Sequence, residues 1–167
     1  PELGEYDVDS NITGIVEYYG QALVWTANAT YLARGSAYDD ITVSKVPDRQ
    51  GLPVAYKNTV VEYQNSVFWI SNDGLCMFSN GSISVISMPN FETFPTITGA
   101  RGGAKDGKLY FFGSSGEGVT CDLKMNPPVF GKITENVDLR VFYSQVDDKL
   151  YLKKTSMSGM HRLYNVL

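Results

Sequence analysis

The chain has 167 residues, which is enough for one domain with a sizeable core. Its 8 Phe, 11 Tyr and 2 Trp are typical of a folded β-rich protein and argue against disorder. A formal net charge of −4 argues against a broad nucleic-acid-binding surface, and no apolar run of about 18 residues predicts a membrane span.

Four apolar triplets recur along the chain at nearly constant spacing. The stretches IVEYYGQALVW (15–25) and TVVEYQNSVFW (59–69) share Val-Glu-Tyr, a short polar turn and a strand that ends in Trp. The triplets are spaced by 44, 42 and 41 residues, within the 40–50 residue period of propeller blades. They begin at Leu23, Val67, Leu109 and Leu150.

Tight turns separate the predicted strands within each unit. Asp106-Gly107 and Asn80-Gly81 predict two-residue type I′ hairpins, because these residue types tolerate positive φ. Gly102 and Gly103 are expected to weaken the strand that they begin. No stretch shows the three- and four-residue apolar spacing of a helix.

We therefore predict an all-β fold of about four four-stranded antiparallel meanders, arranged as propeller-like blades. The chain is interpreted as a single β-propeller-like domain, 1–167, or a fragment of a longer protein. A sandwich or barrel is the alternative, which the regular spacing disfavours. The last unit lacks a fourth strand, so either the segment GEYDVD (4–9) supplies it or the blades belong to a larger assembly. The units span about 11–47, 57–89, 97–134 and 137–167.

Candidate chemistry is sparse. Cys76 and Cys121 are interpreted as buried free thiols on strands, since two cysteines do not make a disulfide scaffold. The single histidine, His161, has no carboxylate near it in sequence and is interpreted as a strand residue. Gly107-Lys108 leads into a strand, which indicates a hairpin turn and not a phosphate loop.

Carboxylates offer two weak patterns. Asp7, Asp9 and Asn11 have the spacing that opens a calcium loop, but the required Gly and closing Glu are absent. Glu17 and Glu62 recur within apolar strands, where they either face solvent or form a glycosidase pair at a propeller axis. The sequence thus predicts no catalytic, cofactor-binding or metal-binding residue and no cofactor, and it leaves the binding residues open.

The run SVFWISNDGLCMFSNGSISVIS (66–87) resembles β-propeller domains of tailed-bacteriophage structural proteins. Ser71, Asp73, Gly74 and Leu75 match a turn between two strands in that family, and 11–51 resembles the preceding blade. The families are tail tubular, or nozzle, proteins and head-to-tail closure proteins. Such proteins are usually several times longer than this chain.

The resemblance implies a non-enzymatic virion structural protein in a phage tail nozzle or head-tail connector. It implies a homo-oligomeric ring around the DNA channel, other tail or connector proteins as partners, and transient, non-specific passage of DNA. A conduit for DNA also suits the acidic balance, because held phosphates require Lys and Arg. The alternative is a binding module for a host glycan or protein, with Tyr18, Tyr19, Trp25 and Trp69 stacking on sugars or packing in the core.

Overall fold

The computed structural model describes residues 7–36, 40–47, 50–87, 99–113, 117–134, 139–144, 149–155 and 161–165. Within them the protein is all-β, with three four-stranded sheets and one three-stranded sheet, all antiparallel. In every sheet, strands that follow one another in sequence lie side by side. None of the described residues forms a helix long and apolar enough to cross a membrane.

The four sheets are numbered in chain order. Sheet 1 contains β1 (Ile12–Tyr18), β2 (Gln21–Thr26), β3 (Thr30–Arg34) and β4 (Thr42–Lys45). Sheet 2 contains β5 (Val61–Tyr63), β6 (Ser66–Ser71), β7 (Gly74–Ser79) and β8 (Ser82–Val85). Sheet 3 contains β9 (Arg101–Lys105), β10 (Lys108–Phe112), β11 (Glu117–Asp122) and β12 (Val129–Thr134). Sheet 4 contains β13 (Leu139–Ser144), β14 (Lys149–Thr155) and β15 (His161–Asn165).

One short 3-10 helix, Val54–Thr59, lies between sheets 1 and 2, where the sequence predicted no helix. Its six residues are too few to show helical periodicity. Thr59 closes it by donating its hydroxyl to Tyr56 O at 2.7 Å and accepting from Ile70 N at 3.0 Å. The helix is thereby tied to β6.

The predicted two-residue hairpins are confirmed. Asp106 and Gly107 have φ values of 51° and 81° and join the paired residues Lys105 and Lys108. Asn80-Gly81 has the same conformation. Tyr19-Gly20 and Gln64-Asn65 also have positive φ, so the first hairpin of sheets 1, 2 and 3 has one backbone form.

Sheets 1, 2 and 3 pack face to face in chain order. The face that points to the next sheet is called the downstream face, and the opposite one the upstream face. Tyr18, on the downstream face of sheet 1, contacts Phe78 on the upstream face of sheet 2, with ring centroids 5.2 Å apart. Sheet 2 in turn contacts sheet 3 through Val61 and Gly102, and β13 packs on β9 and β10.

Sheets 2, 3 and 4 contact one another through their first strands. β5 packs against β9 and β9 against β13, whereas the fourth strands β4 and β8 are mostly exposed. Gly102 makes the approach possible, because a Cβ there would lie 2.6 Å from Val61 Cγ2 and 2.9 Å from Thr59 O. Gly102, one of the two glycines expected to weaken β9, permits this strand to pack closely on sheet 2.

The core lies between sheets 1, 2 and 3. Sheet 2 is covered on both faces, since every residue of β6 is buried. The largest fully buried side chains are Trp25, Trp69, Phe78, Phe111, Leu23, Leu52, Ile70, Leu75 and Leu109. They occupy two layers, one on each side of sheet 2.

The hairpin turns give a different alignment of the repeats from the apolar triplets. Tyr18 and Tyr63 each end a first strand before the turn, and they are 45 residues apart. In that register Trp25 is equivalent to Ile70 and not to Trp69. Because side chains alternate between faces, Trp25 points downstream and Trp69 upstream. Both therefore enter the same layer between sheets 1 and 2.

The segment 4–9 was one candidate for completing the last unit. Residues 4–6 lie outside the described part of the chain. Asp9 lies against sheet 1, where its backbone N–H donates to Tyr31 Oη at 3.0 Å. The described part of the segment is thus placed beside sheet 1 and not along β15.

Candidate functional site

A tyrosine at the end of the first strand links each of the first two sheets to the sheet that follows. Tyr18 donates its hydroxyl to Asn65 O at 2.9 Å, in the first hairpin turn of sheet 2. Tyr63 accepts from Gly107 N at 2.7 Å, in the first hairpin turn of sheet 3. These two contacts are called the tyrosine links. They set the spacing of three consecutive sheets at the turn end of the first strands.

The connection between sheets 1 and 2 is bonded to both of them. Leu52 N donates to Thr26 O at 2.9 Å in sheet 1. Gln50 accepts from the hydroxyl of Ser71 at 2.9 Å in sheet 2, and Gly51 O accepts from Trp69 Nε1 at 3.0 Å. Residues 50–52 thus act as a spacer between sheets 1 and 2, and these hydrogen bonds satisfy polar groups that lie next to the apolar layer.

Neither tryptophan is available to a ligand. Trp25 and Trp69 are both 0% exposed, and their rings meet at 5.3 Å with an interplanar angle of 63°. Trp25 Nε1 is buried with no acceptor among the described residues. The hypothesis that these rings stack on sugars is wrong for both tryptophans, because each is sealed inside the layer between sheets 1 and 2.

Tyr19 is the aromatic residue of the four that remains accessible, at 59% exposed. Its ring stands edge-on to Tyr18, with centroids 4.9 Å apart. Beside it a groove of about 490 Å³ opens between sheets 1 and 2. We call this the Tyr19 groove. It is lined by Tyr18, Tyr19, Gln21, Leu32, Arg34, Asn65, Phe78, Asn80 and Gly81.

The Tyr19 groove combines a ring surface with amide and guanidinium donors. Arg34 Nε donates to Gln21 Oε1 at 3.0 Å, which orients both side chains along the rim. Asn65 and Asn80 contribute from two hairpin turns of sheet 2. Such a surface can stack on a planar or sugar ring and hydrogen-bond its polar substituents.

Glu17 and Glu62 occupy equivalent positions, each one residue before a linking tyrosine, and both are exposed. Glu17 accepts weakly from Gly20 N at 3.4 Å. Glu62 lies on a cleft of about 670 Å³ between the first strands of sheets 2 and 3. The second carboxylate on that cleft is Asp106 and not Glu17. The two glutamates belong to different sheets and do not share the cleft.

Asp9, from the calcium-like spacing, is held by local donors. Thr26 Oγ1 donates to Asp9 Oδ1 at 2.7 Å, and Lys45 Nζ lies 3.4 Å from Oδ2. The hydrogen bond from Thr26 and the Lys45 charge lower the pKa of this carboxyl. No group of three metal-ligating side chains occurs among the described residues.

Both cysteines are free, buried and on strands, as predicted. Burial raises the pKa of each thiol to about 12. Cys76 donates to Ser71 Oγ at 3.2 Å. At neutral pH both thiols stay protonated, so neither has the thiolate character of a nucleophile.

The last two sequence candidates, Gly107-Lys108 and His161, are not among the described residues that line the Tyr19 groove or the cleft beside Glu62. Gly107-Lys108 forms the predicted hairpin turn and the start of β10, where Lys108 Nζ lies 3.6 Å from Asp122 Oδ2. His161 begins β15 opposite Thr155, and its side chain lies outside the described part of the structure.

No protein-family model matches the chain, and no curated protein matches it either.

Two features were missed at the sequence level. The first is the Tyr19 groove, which is lined by Arg34 from sheet 1 and Asn80 from sheet 2. No local sequence pattern predicts that these two residues lie close together. The tyrosine links did have a signal, since Val-Glu-Tyr recurs before the first two turns. Whether this tyrosine contacts the following sheet depends on the sheet face on which its side chain lies, and the repeat alone does not give that face.

Proposed function

We propose that the protein is a non-enzymatic structural component whose sheets stack as propeller-like blades. The observation that carries the proposal is the pair of tyrosine links, which join successive sheets by the same route. First strands that lie close together and exposed fourth strands support a wedge-like arrangement about an axis. Such repeats bury their faces mainly against their neighbours, which suits a scaffold.

We further propose a place for this scaffold in the virion of a tailed phage, in the tail nozzle or head-tail connector. The partners would be other tail or connector proteins and further copies of the chain in a ring. DNA would pass through without being held. The cleft beside the first strands is lined by two carboxylates, Glu62 and Asp106, and by one cation, Lys105. This net acidic lining supports a channel wall that does not hold phosphates.

Location in the particle tests this proposal directly. Antibodies raised against the chain should label the tail or neck of purified phage particles in immunogold electron microscopy. Mass spectrometry of the same particles should find the chain at a fixed ratio to the other tail proteins. Particles that lack both the label and the peptides would overturn the proposal.

A second candidate function is recognition of a host glycan or protein at the Tyr19 groove. It is favoured by the exposed Tyr19 ring next to Arg34 and Gln21. A glycan array followed by titration calorimetry tests it. We expect Tyr19→Phe to keep binding, since the ring stays, and Tyr19→Ala to lose it. Absence of any ligand for the unmodified protein would eliminate this candidate.

A further inference from the structure

We propose that the Tyr19 groove binds an acidic sugar, with the sugar ring stacked on Tyr19 and the sugar carboxylate held by Arg34. The inference rests on the second candidate function above, recognition of a glycan, and names the class of glycan. Three observations support it: a comparison of two equivalent grooves within this protein, the charge of the lining, and the hydrogen bonding of Arg34.

A second groove, of about 390 Å³, lies between sheet 2 and the turn after β11 in sheet 3. Its place corresponds to that of the Tyr19 groove, which lies between sheet 1 and the turn after β7 in sheet 2. Tyr63 lines it as Tyr18 lines the Tyr19 groove, and both tyrosines end a first strand. Met77 lines it in the position that Leu32 has in sheet 1. We call it the Met77 groove, and the protein thus builds one type of groove twice.

The two grooves differ in chemistry at four equivalent positions. At these positions the Tyr19 groove has an aromatic ring, two amides and a guanidinium, whereas the Met77 groove has one amide, two hydroxyl groups and an apolar side chain. Sheets 2 and 3 pack together without the ring and the guanidinium, so packing alone does not account for these groups in the Tyr19 groove. The equivalent pairs are Tyr19 and Gln64, Gln21 and Ser66, Arg34 and Ser79, and Asn80 and Leu123.

The groups that distinguish the Tyr19 groove are accessible. Tyr19 is 59% exposed, and Arg34 and Asn80 are exposed as well. The Tyr19 ring is supported by its edge-on contact with Tyr18, which is itself fixed by its hydrogen bond to Asn65 O. A supported ring loses little conformational freedom when a sugar stacks on it, so it is prepared for binding.

The charge of the lining favours a ligand with a single negative charge. Arg34 is the one charged residue among the described residues that line the Tyr19 groove, in a chain whose net charge is −4. A nucleic acid carries a phosphate on every nucleotide, and holding it requires several Lys and Arg side chains. One cation beside an aromatic ring fits a sugar that carries one carboxylate better than it fits a nucleic acid.

The hydrogen bonding of Arg34 leaves the donors that a carboxylate needs. Its Nε donates to Gln21 Oε1 at 3.0 Å, and within the described part of the chain its two terminal nitrogens make no hydrogen bond or ion pair. Two nitrogens of a guanidinium lie in one plane and match the two oxygens of a carboxylate. The amides of Gln21, Asn65 and Asn80 can both donate to and accept from sugar hydroxyls. A hexuronic acid presents a ring, hydroxyls and a carboxylate together.

Binding of matched pairs of oligosaccharides tests the inference. In each pair one member carries a hexuronic acid, and the other carries the corresponding neutral hexose at the same place. Titration calorimetry with the complete chain measures both affinities. We expect the acidic member to bind at least about tenfold more tightly, which corresponds to about 1.4 kcal/mol. Added salt should reduce this preference, because it screens exposed charges.

Substitutions separate the contribution of the cation from that of the ring. Arg34→Gln should abolish the preference for the acidic member and leave the affinity for the neutral member unchanged. Tyr19→Ala should weaken the binding of both members. Gln64→Ala and Ser79→Ala are the matched controls at the equivalent positions of the Met77 groove, and Gln64 has a φ of 46° where Tyr19 has 51°. Both controls should bind like the unmodified protein, and circular dichroism of each variant shows that the fold is retained.

Two results would overturn the inference. One is equal affinity for the two members of every pair, and the other is a preference for the acidic member that Arg34→Gln leaves unchanged. Equal affinities that Tyr19→Ala abolishes would keep glycan recognition as the function of the groove and remove only the acidic specificity. Absence of binding to every oligosaccharide would remove both. The location of the chain in the virion is tested separately, by the labelling of particles.

Discussion

Tyr18 and Tyr63 occupy the same position in two consecutive sheets, and each side-chain hydroxyl bonds the backbone of the first hairpin turn in the following sheet. The partner atoms differ, since Tyr18 donates to a carbonyl and Tyr63 accepts from an N–H. A hydroxyl can do either. The same residue thus joins sheets whose turns present different backbone groups.

Removing a hydroxyl from either link should weaken the fold. We expect Tyr18→Phe and Tyr63→Phe each to lower the free energy of unfolding by about 1 kcal/mol, because each leaves a backbone group without its protein partner. Urea denaturation followed by fluorescence measures the change. Tyr19→Phe is the control, since Tyr19 is exposed and should shift the midpoint little. Equal effects for all three variants would contradict the role of the links.

Comparing substitutions at Trp25 and Trp69 isolates the contribution of one hydrogen bond to stability. Both rings are fully buried in the same layer, so Trp→Phe removes similar volume at each position. Only Trp69 donates to a carbonyl, that of Gly51. We expect Trp69→Phe to be more destabilising than Trp25→Phe by about 1 kcal/mol in urea denaturation. A larger loss for Trp25→Phe would refute the assignment of the bond.

Gly102 should resist enlargement. A methyl group there would overlap Val61 Cγ2 at 2.6 Å and Phe111 Cε1 at 2.9 Å, at the closest approach of sheets 2 and 3. We expect Gly102→Ala to lower the free energy of unfolding by about 1–3 kcal/mol through overpacking. Gly81→Asn is the control, because open space surrounds Gly81 and Asn tolerates positive φ. Thermal denaturation of both variants makes the comparison, and a stable Gly102→Ala would show that the sheets can separate there at little cost.

The buried thiols predict a dependence of stability on alkaline pH. Their pKa in the folded protein is raised to about 12 from an ordinary value of 9.0. The folded state therefore keeps protons that the unfolded chain loses, and stability should fall as the pH rises from about 9 toward 12. Urea midpoints at about pH 8 and about pH 10.5 measure this loss. The variant Cys76→Ala with Cys121→Ala should show a smaller loss between the two pH values.

The rate at which thiol reagents modify the folded protein is a second test of the burial of Cys76 and Cys121. At neutral pH we expect an aromatic disulfide reagent to modify neither Cys76 nor Cys121 until urea unfolds the protein, because reaction needs an accessible thiolate. Fast modification of the folded protein would show that one of the layers opens in solution.

Local patterns predicted the strands and the tight turns well. The Asp106-Gly107 and Asn80-Gly81 hairpins follow from the residues that tolerate positive φ, and the period of the apolar triplets indicated repeated antiparallel meanders. The 3-10 helix was not predictable in this way, since its closing bonds come from Thr59 to residues of its own turn and of β6.

The triplet pattern placed Trp25 and Trp69 at equivalent positions. In the register of the sheets, Trp25 is equivalent to Ile70. A shift of one residue reverses the face on which a strand side chain lies, so a period accurate to one or two residues leaves the face undecided. Cross-strand pairing with Gly14 and Cys76, respectively, is what directs the two rings toward each other.

Sequence alone determined that this protein is made of repeated β-meanders, because strand alternation and turn chemistry act over a few neighbouring residues. Only the tertiary structure decided which sheet faces are covered. It buried both tryptophans, left Tyr19 and Ile15 open, and kept Glu17 away from the cleft that Glu62 lines. Those outcomes depend on how one sheet sits against the next, a relation between residues 40 or more positions apart that no local preference encodes.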